Sequence, residues 1–118
     1  MKKILIVEDD RRIKKIYSRL LKSEGYGVFG VSNASDAREV LKKENVDLVL
    51  LDIRLPEVDG SVLFSMIGLF HKRLKVIVSS VYPLDEQRRI IEGAYDYYDK
   101  SQGVDKLLLK VRRALVDM

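Results

Sequence analysis

The residues able to do chemistry in this 118-residue chain gather at the ends of short apolar runs. Asp47-Leu-Val-Leu-Leu-Asp52 closes on a carboxylate and continues into Ile-Arg-Leu-Pro56-Glu-Val-Asp59-Gly60. Branched apolar residues bounded by turn chemistry read as a strand buried on both faces. A charged group ending such a strand is rarely a core residue, because burying it unpaired costs on the order of several kcal/mol. Lys3-Ile-Leu-Ile-Val7 likewise ends in Glu8, Asp9 and Asp10, Lys75-Val-Ile-Val-Ser-Ser80 in hydroxyls, and Tyr95-Asp-Tyr-Tyr-Asp-Lys100 in an ammonium. Ligands of an open parallel sheet sit just beyond the carboxyl ends of its strands. Four strand ends therefore offer carboxylates, a hydroxyl and a lysine to one site.

Strand and helix patterns alternate five times, without linker, repeat or low-complexity segment. Ile13, Ile16, Tyr17, Leu20 and Leu21 recur at helical spacing, and Gly25 follows as a stop. A second strand covers Tyr26 to Val31. Asn33 is expected to cap the next helix, with Asp36 in its first turn and Ala37, Val40 and Leu41 buried. Val62, Leu63, Met66, Ile67 and Phe70 mark a third helix. Pro83-Leu84 opens a fourth, with Ile90, Ile91 and Ala94 inward, and Val104, Leu107, Leu108, Val111 and Leu115 line a fifth. Each spacer is long enough for a right-handed crossover, so the sheet is expected to be parallel and covered by helices on both faces.

One core is the natural reading of this length, so residues 1–118 are expected to form a single domain. Apolar residues make up 47% and charged residues 34%, the balance of a globular rather than a disordered chain. The absence of cysteine excludes disulfides and thiolate metal sites. The apolar run after Met1 is too short for a signal peptide, and no stretch approaches a membrane span, which points to the cytoplasm. A formal charge of +4 raises nucleic acid as a partner, but the basic residues are scattered and not interleaved with aromatics. Solvated helix faces explain them better, so no direct nucleic-acid binding and no membrane binding is expected.

Glu8-Asp9, Asp52 with Pro56 and Asp59-Gly60, Ser80, Gly93-Ala94, Tyr97 and Lys100 resemble, in order and over nearly the whole chain, the receiver domain of bacterial two-component response regulators. Each motif alone is weak; the ordered set is specific. The resemblance implies a doubly wound α/β domain with a five-stranded parallel sheet, the (βα)5 flavodoxin-like fold. No output domain is expected within this chain. Glu8, Asp9 and Asp52 would bring three hard carboxylates to one point, a donor set that suits Mg²⁺. A lone acid at a strand end is more often a helix cap, and Asp10 is the candidate for that role. The resemblance adds the backbone carbonyl of Arg54 as a metal ligand. It makes Asp52 the phosphoacceptor, supplied by a sensor histidine kinase, a phosphotransfer protein or a small acyl phosphate. Such a domain is no enzyme beyond Mg²⁺-dependent self-phosphorylation and self-dephosphorylation.

Lys100 would supply a mobile charge for a phosphoryl oxygen and be held near Asp52 by ion pairing, and because it follows a strand instead of lying within one, its loss should spare the core. Ser80 resembles the hydroxyl that binds the arriving phosphoryl group, and Tyr97 the aromatic switch that turns inward with it. Ser79 is the rival of Ser80, and strand alternation separates the two without saying which faces the site. His71, at a helix end, is expected to meet only the helix dipole and solvent.

Three positions depart from the family pattern. Ser101 follows Lys100 where a proline preceded by a cis bond is usual, and a cis bond before serine would cost about 2.5–4 kcal/mol. Val81 replaces a small residue beside the phosphoryl site, where its bulk would slow water and donors alike. The stretch from Ser80 to Lys100 is short, which should trim the loop or first turn before the fourth helix.

A receiver-like interaction module that signals without phosphate is the competing function, though it has no use for clustered carboxylates. A flavin carrier of the same fold would need a phosphate-cradling loop where this chain has Glu8-Asp9-Asp10-Arg11. The resemblance places the output, to a further domain or a downstream protein, on the fourth helix, fifth strand and fifth helix, with Leu109 and Val116 exposed there. By resemblance to receivers of the winged-helix transcription-factor subclass, which pair through this face by opposite charges, Asp96 and Lys110 could form one such pair. Arg88 and Lys106, at positions that subclass pairs oppositely, are both cationic. A monomer or weak dimer is the expected state.

Overall fold

The computed structural model describes residues 1–116. Five strands, β1 (Lys3–Val7), β2 (Gly27–Val31), β3 (Leu48–Leu51), β4 (Lys75–Ser80) and β5 (Asp96–Asp99), form one sheet in the order β2-β1-β3-β4-β5. Every neighbouring pair is parallel. The helices between and after them are α1 (Arg11–Ser23), α2 (Ala34–Lys43), α3 (Gly60–Phe70), α4 (Leu84–Ile90) and α5 (Val104–Val116). The fold is thus the expected doubly wound sheet. Because strand side chains alternate between faces, each strand serves two cores. Ile4, Ile6, Leu48, Leu50, Ile77 and Tyr98 pack against α1 and α5. Leu5, Val7, Val49, Leu51 and Val76 pack against α2 and α3.

The helix ends follow from local chemistry. Asp10 accepts from the N–H of Ile13 at 3.1 Å and Asn33 from that of Asp36 at 2.8 Å, as a cap should. Gly25, at φ 93°, ends the first helical segment in a conformation that favours glycine. The short fourth crossover leaves α4 only seven residues long, opening directly after Pro83.

Several positions differ from the sequence expectation. Ile90, expected to face inward, and Val104, placed on the stripe of the last helix, are 39% and 37% exposed. On α3 the buried arc is narrower than the apolar one, since only Gly60, Leu63 and Ile67 are fully covered while Val62 and Phe70 are 58% and 73% exposed. Tyr26 and Tyr95 lie just outside their strands, where the ladder has not yet begun. Asp96 and Lys110 pair within one chain, Nζ to Oδ1 at 3.0 Å, rather than standing ready for a second copy. Leu109 and Val116 are exposed, as expected.

Candidate functional site

The strand order reverses between β1 and β3, and the acids lie at the carboxyl ends of those two strands. Carboxylate oxygens of Glu8, Asp9 and Asp52 lie within 4.8 Å of one another. Glu8 and Asp52 are buried and Asp9 is exposed, so the group has a closed floor and an open side. Asp9, Asp52, Arg54, Val81 and Lys100 line the same recess with Glu8. Parallel pairing of β1 with β3 brings Val7 opposite Leu51, and the residues after each therefore emerge side by side. The Asp52 N–H donates to the Val7 carbonyl at 3.0 Å, locking that placement.

Lys100 reaches over from the end of β5. Its Nζ lies 2.5 Å from Glu8 Oε1 and 3.3 Å from Asp52 Oδ2. The expected pairing with Asp52 is present, but Glu8 is the nearer partner. Burial raises the Glu8 carboxyl to about 7; Lys100 opposes this and the Asp52 charge adds to it. Burial works against the Lys100 ammonium, yet its bonds to Glu8 and Asp52 outweigh that and raise its pKa. The other Asp52 oxygen, Oδ1, accepts from the Arg54 N–H at 3.3 Å.

The Lys100–Ser101 bond is trans, since the described residues contain no cis peptide. The chain instead makes a 3-10 turn over Lys100–Gln102, in which Asp99 Oδ1 accepts from the Ser101 N–H at 2.9 Å and its hydroxyl at 2.7 Å. Proline would supply neither donor. Ser101 thus substitutes hydrogen bonding for a proline-specific bend.

Ser79 and Ser80 separate as alternation requires. Ser79, paired with Tyr98, is buried on the strand face shared with Ile77, whereas Ser80 is fully buried at the strand end. The Ser80 hydroxyl accepts from the Tyr82 N–H at 3.3 Å and does not line the acidic recess, whose β4-side wall is the exposed Val81. Tyr97 already lies inward, 7% exposed. Its hydroxyl donates to the Ile91 carbonyl at 2.6 Å and accepts from the Ala94 N–H at 3.2 Å, while the Arg88 guanidinium lies over its ring. His71 caps the end of α3, away from the acids.

Two residues at the site have structural roles that spacing alone does not disclose. Gly60 begins α3 so close to the acidic loop that a Cβ would fall 2.3 Å from the Asp52 carbonyl oxygen. Only glycine permits that approach, and its N–H donates to the Ile53 carbonyl at 2.8 Å. Gln87 on α4 is fully buried, with its amide nitrogen 2.7 Å from the Tyr82 carbonyl, 3.0 Å from that of Tyr98 and 3.4 Å from that of Ser80. A single glutamine in a charged helix reads as surface, so the sequence carried no signal for it.

An acid cluster at the switch point of a 2-1-3-4-5 parallel sheet, crossed by a lysine, defines a class of ligand-binding doubly wound domain. A family profile described as the response regulator receiver domain matches residues 4–112, and the chain belongs to that family. Sporulation initiation phosphotransferase F of Bacillus subtilis is 29% identical over 117 residues, covering 96% of this chain and 93% of that protein. Transcriptional regulatory protein KdpE of Staphylococcus aureus is 36% identical over 114 residues, 93% of this chain but 48% of that protein. The chain thus spans about half of that regulator, and 24% of an NtrX-like putative response regulator of Rickettsia bellii. Among solved structures, response regulator TrrA of Thermotoga maritima, in complex with Mg²⁺-BeF, matches with TM-score 0.84 and 30% identity over 97% of this chain and 99% of that one. A CheY-like receiver domain protein from Methanospirillum hungatei matches with TM-score 0.92 and 29% identity, covering 99% and 95%. Receiver domains are signalling domains of two-component systems rather than enzymes in the usual sense.

Proposed function

We propose that this receiver accepts a phosphoryl group on Asp52 in a Mg²⁺-dependent reaction and passes the change to its α4–β5–α5 face. The observation that carries this is the convergence of three carboxylates within 4.8 Å beneath the Lys100 ammonium. These residues fit a hard divalent cation, with Glu8, Asp9 and Asp52 as its protein ligands and the Arg54 carbonyl as a fourth. When bound, Mg²⁺ would neutralise charge that otherwise repels an anionic donor.

The remaining chemistry belongs to the chain. An Asp52 oxygen attacks phosphorus in line, forming the acyl phosphate as the bond to the donor's leaving group breaks. Lys100 follows the negative charge from Asp52 to the phosphoryl oxygens. Ser80, next in the chain to Val81, must free its hydroxyl from the Tyr82 N–H to bind the same group. That movement pulls on the loop before α4, which Gln87 joins to β5. The donor would be a phosphohistidine on a sensor kinase or phosphotransfer protein. No helix among the described residues is long and apolar enough to cross a membrane, and the cytoplasm is the proposed compartment.

Intact mass after incubation with Mg²⁺ and an acyl phosphate tests the reading. One added phosphoryl group is expected, absent with chelator and absent in Asp52→Asn. Uptake indifferent to both would overturn it in favour of another residue. No uptake from any donor would favour the phosphate-independent interaction module.

A further inference from the structure

The third helix carries an unusual surface. Between Gly60 and Phe70 it has no charged residue, although a helix lying on a sheet normally presents a polar outer face. Val62, Met66, Leu69 and Phe70 recur at i, i+4, i+7 and i+8, the spacing of a core-facing stripe. Yet Val62, Leu69 and Phe70 are 58%, 69% and 73% exposed, and Met66 is only half-buried. Val58, just before the helix, extends the same exposed apolar surface. This is a second apolar stripe beside the one that Leu63 and Ile67 bury.

The stripe borders a groove between α2 and α3. Its lower part is walled by Arg38, Leu41, Lys42, Met66, Phe70 and His71, and its upper part continues past Arg38 and Met66 to Val62, Val58 and Glu57. The lower part has two cations and no acid. Lys42 shares Glu39 at 3.7 Å in an exposed pair worth little, while Arg38 has no ion-pair partner among the described residues. Lys72 and Arg73 follow just beyond the foot of the helix.

We infer that this groove docks an acidic amphipathic helix of a partner protein, its apolar side chains on Val62, Leu69 and Phe70 and its carboxylates facing Arg38 and Lys42. Helix-in-groove recognition uses apolar anchors at this spacing, and opposite charge fixes the register. A second copy of the chain is the poorer occupant. An isologous contact would turn the same patch against its own copy. The lower part of the groove offers no acid to meet Arg38 and Lys42, in a molecule already carrying a formal +4. The surface is separate from the α4–β5–α5 face, and the inference does not depend on phosphorylation. The upper end of the groove is nevertheless the loop that follows Asp52, through Pro56, Glu57 and Val58. That places any partner seated there within reach of a change at the acidic site.

The test uses the isotope-labelled, unphosphorylated chain, titrated with a synthetic helix bearing leucines on one face and glutamates on the other. Amide shifts confined to α2, α3 and residues 56–58 are expected. A lysine-for-glutamate version of the helix should bind at least about tenfold more weakly. Leu69→Glu, at a position too exposed to threaten the fold, should abolish the shifts, and Arg38→Glu should weaken them. Shifts elsewhere, no shifts at all, or equal binding of both peptides would overturn the inference. So would sedimentation showing a dimer that Leu69→Glu dissolves, since the occupant would then be a second copy.

Discussion

At the residue scale, Glu8 sets the pH behaviour of the site. Its carboxyl is raised from 4.5 to about 7, so between those values the folded chain holds a proton that the unfolded chain has lost. Stability from this group is therefore greatest below 4.5 and declines as pH rises through about 7. Mg²⁺ needs the carboxylate, so the proposed metal binding should behave oppositely, weakening by up to about tenfold per unit as pH falls below 7. Calorimetric titration in two buffers of different ionisation enthalpy would show proton release near neutrality; affinity flat from pH 5 to 8 would mean Glu8 is not a ligand. Lys100 makes the complementary case. Position after a strand suggested that losing it would leave the core untouched, but the structure places it between two buried carboxylates. Lys100→Ala is expected to melt below the native protein, by less at pH 5 than at pH 8 without Mg²⁺. At pH 5 Glu8 is protonated and only Asp52 loses its partner, whereas at pH 8 the native pair with ionised Glu8 is lost as well. Equal melting loss at both values, followed by circular dichroism, would show that the ion pair matters little.

At the scale of elements, how well the sequence could be read depended on how local the determining physics was. Asp10, Asn33 and Gly25 were readable because a cap or stop is set by residues within one turn. The strand ends bearing Glu8, Asp52, Ser80 and Lys100 were readable because apolar runs stop where solvent and chemistry begin. Ile90 and Val104 were misread because periodicity gives the width of an apolar arc and not how much of it a sheet covers. Gly60 was visible as a motif residue, but its reason, a backbone contact with Asp52 across the loop, is tertiary. Gln87 was invisible for the same reason. Its amide joins the carbonyls that follow β4 to β5, so the short α4 is fastened to the strands at both sides of the proposed switch. Gln87→Met keeps the volume but strands these carbonyls, and is expected to cost about 1–3 kcal/mol. The melting temperature should fall, and amide exchange should accelerate at Tyr82 and through α4 before it does elsewhere. Uniform acceleration would indicate general loosening instead of a released tether.

At the scale of the whole molecule, charge and surface argue for a receiver that works with other proteins and not chiefly with itself. Asp96 and Lys110 satisfy one another within the chain, and Arg88, laid over Tyr97, and Lys106 carry like charge on the α4–β5–α5 face, which opposes a symmetric pair there. Sedimentation of the Mg²⁺-loaded, phosphorylated domain at low micromolar concentration should give a monomer. A dimer that Arg88→Glu disrupts would show that like charges on that face are tolerated.

Chemical trapping locates the phosphoryl group proposed for Asp52. Hydride reduction of an acyl phosphate on aspartate leaves homoserine, which peptide mass mapping can locate. After incubation with Mg²⁺ and an acyl phosphate, homoserine at position 52 is the expected product, lost when chelator is present. Homoserine at Asp9, or a phosphoryl group that resists hydride and maps to a serine or tyrosine, would contradict the assignment to Asp52.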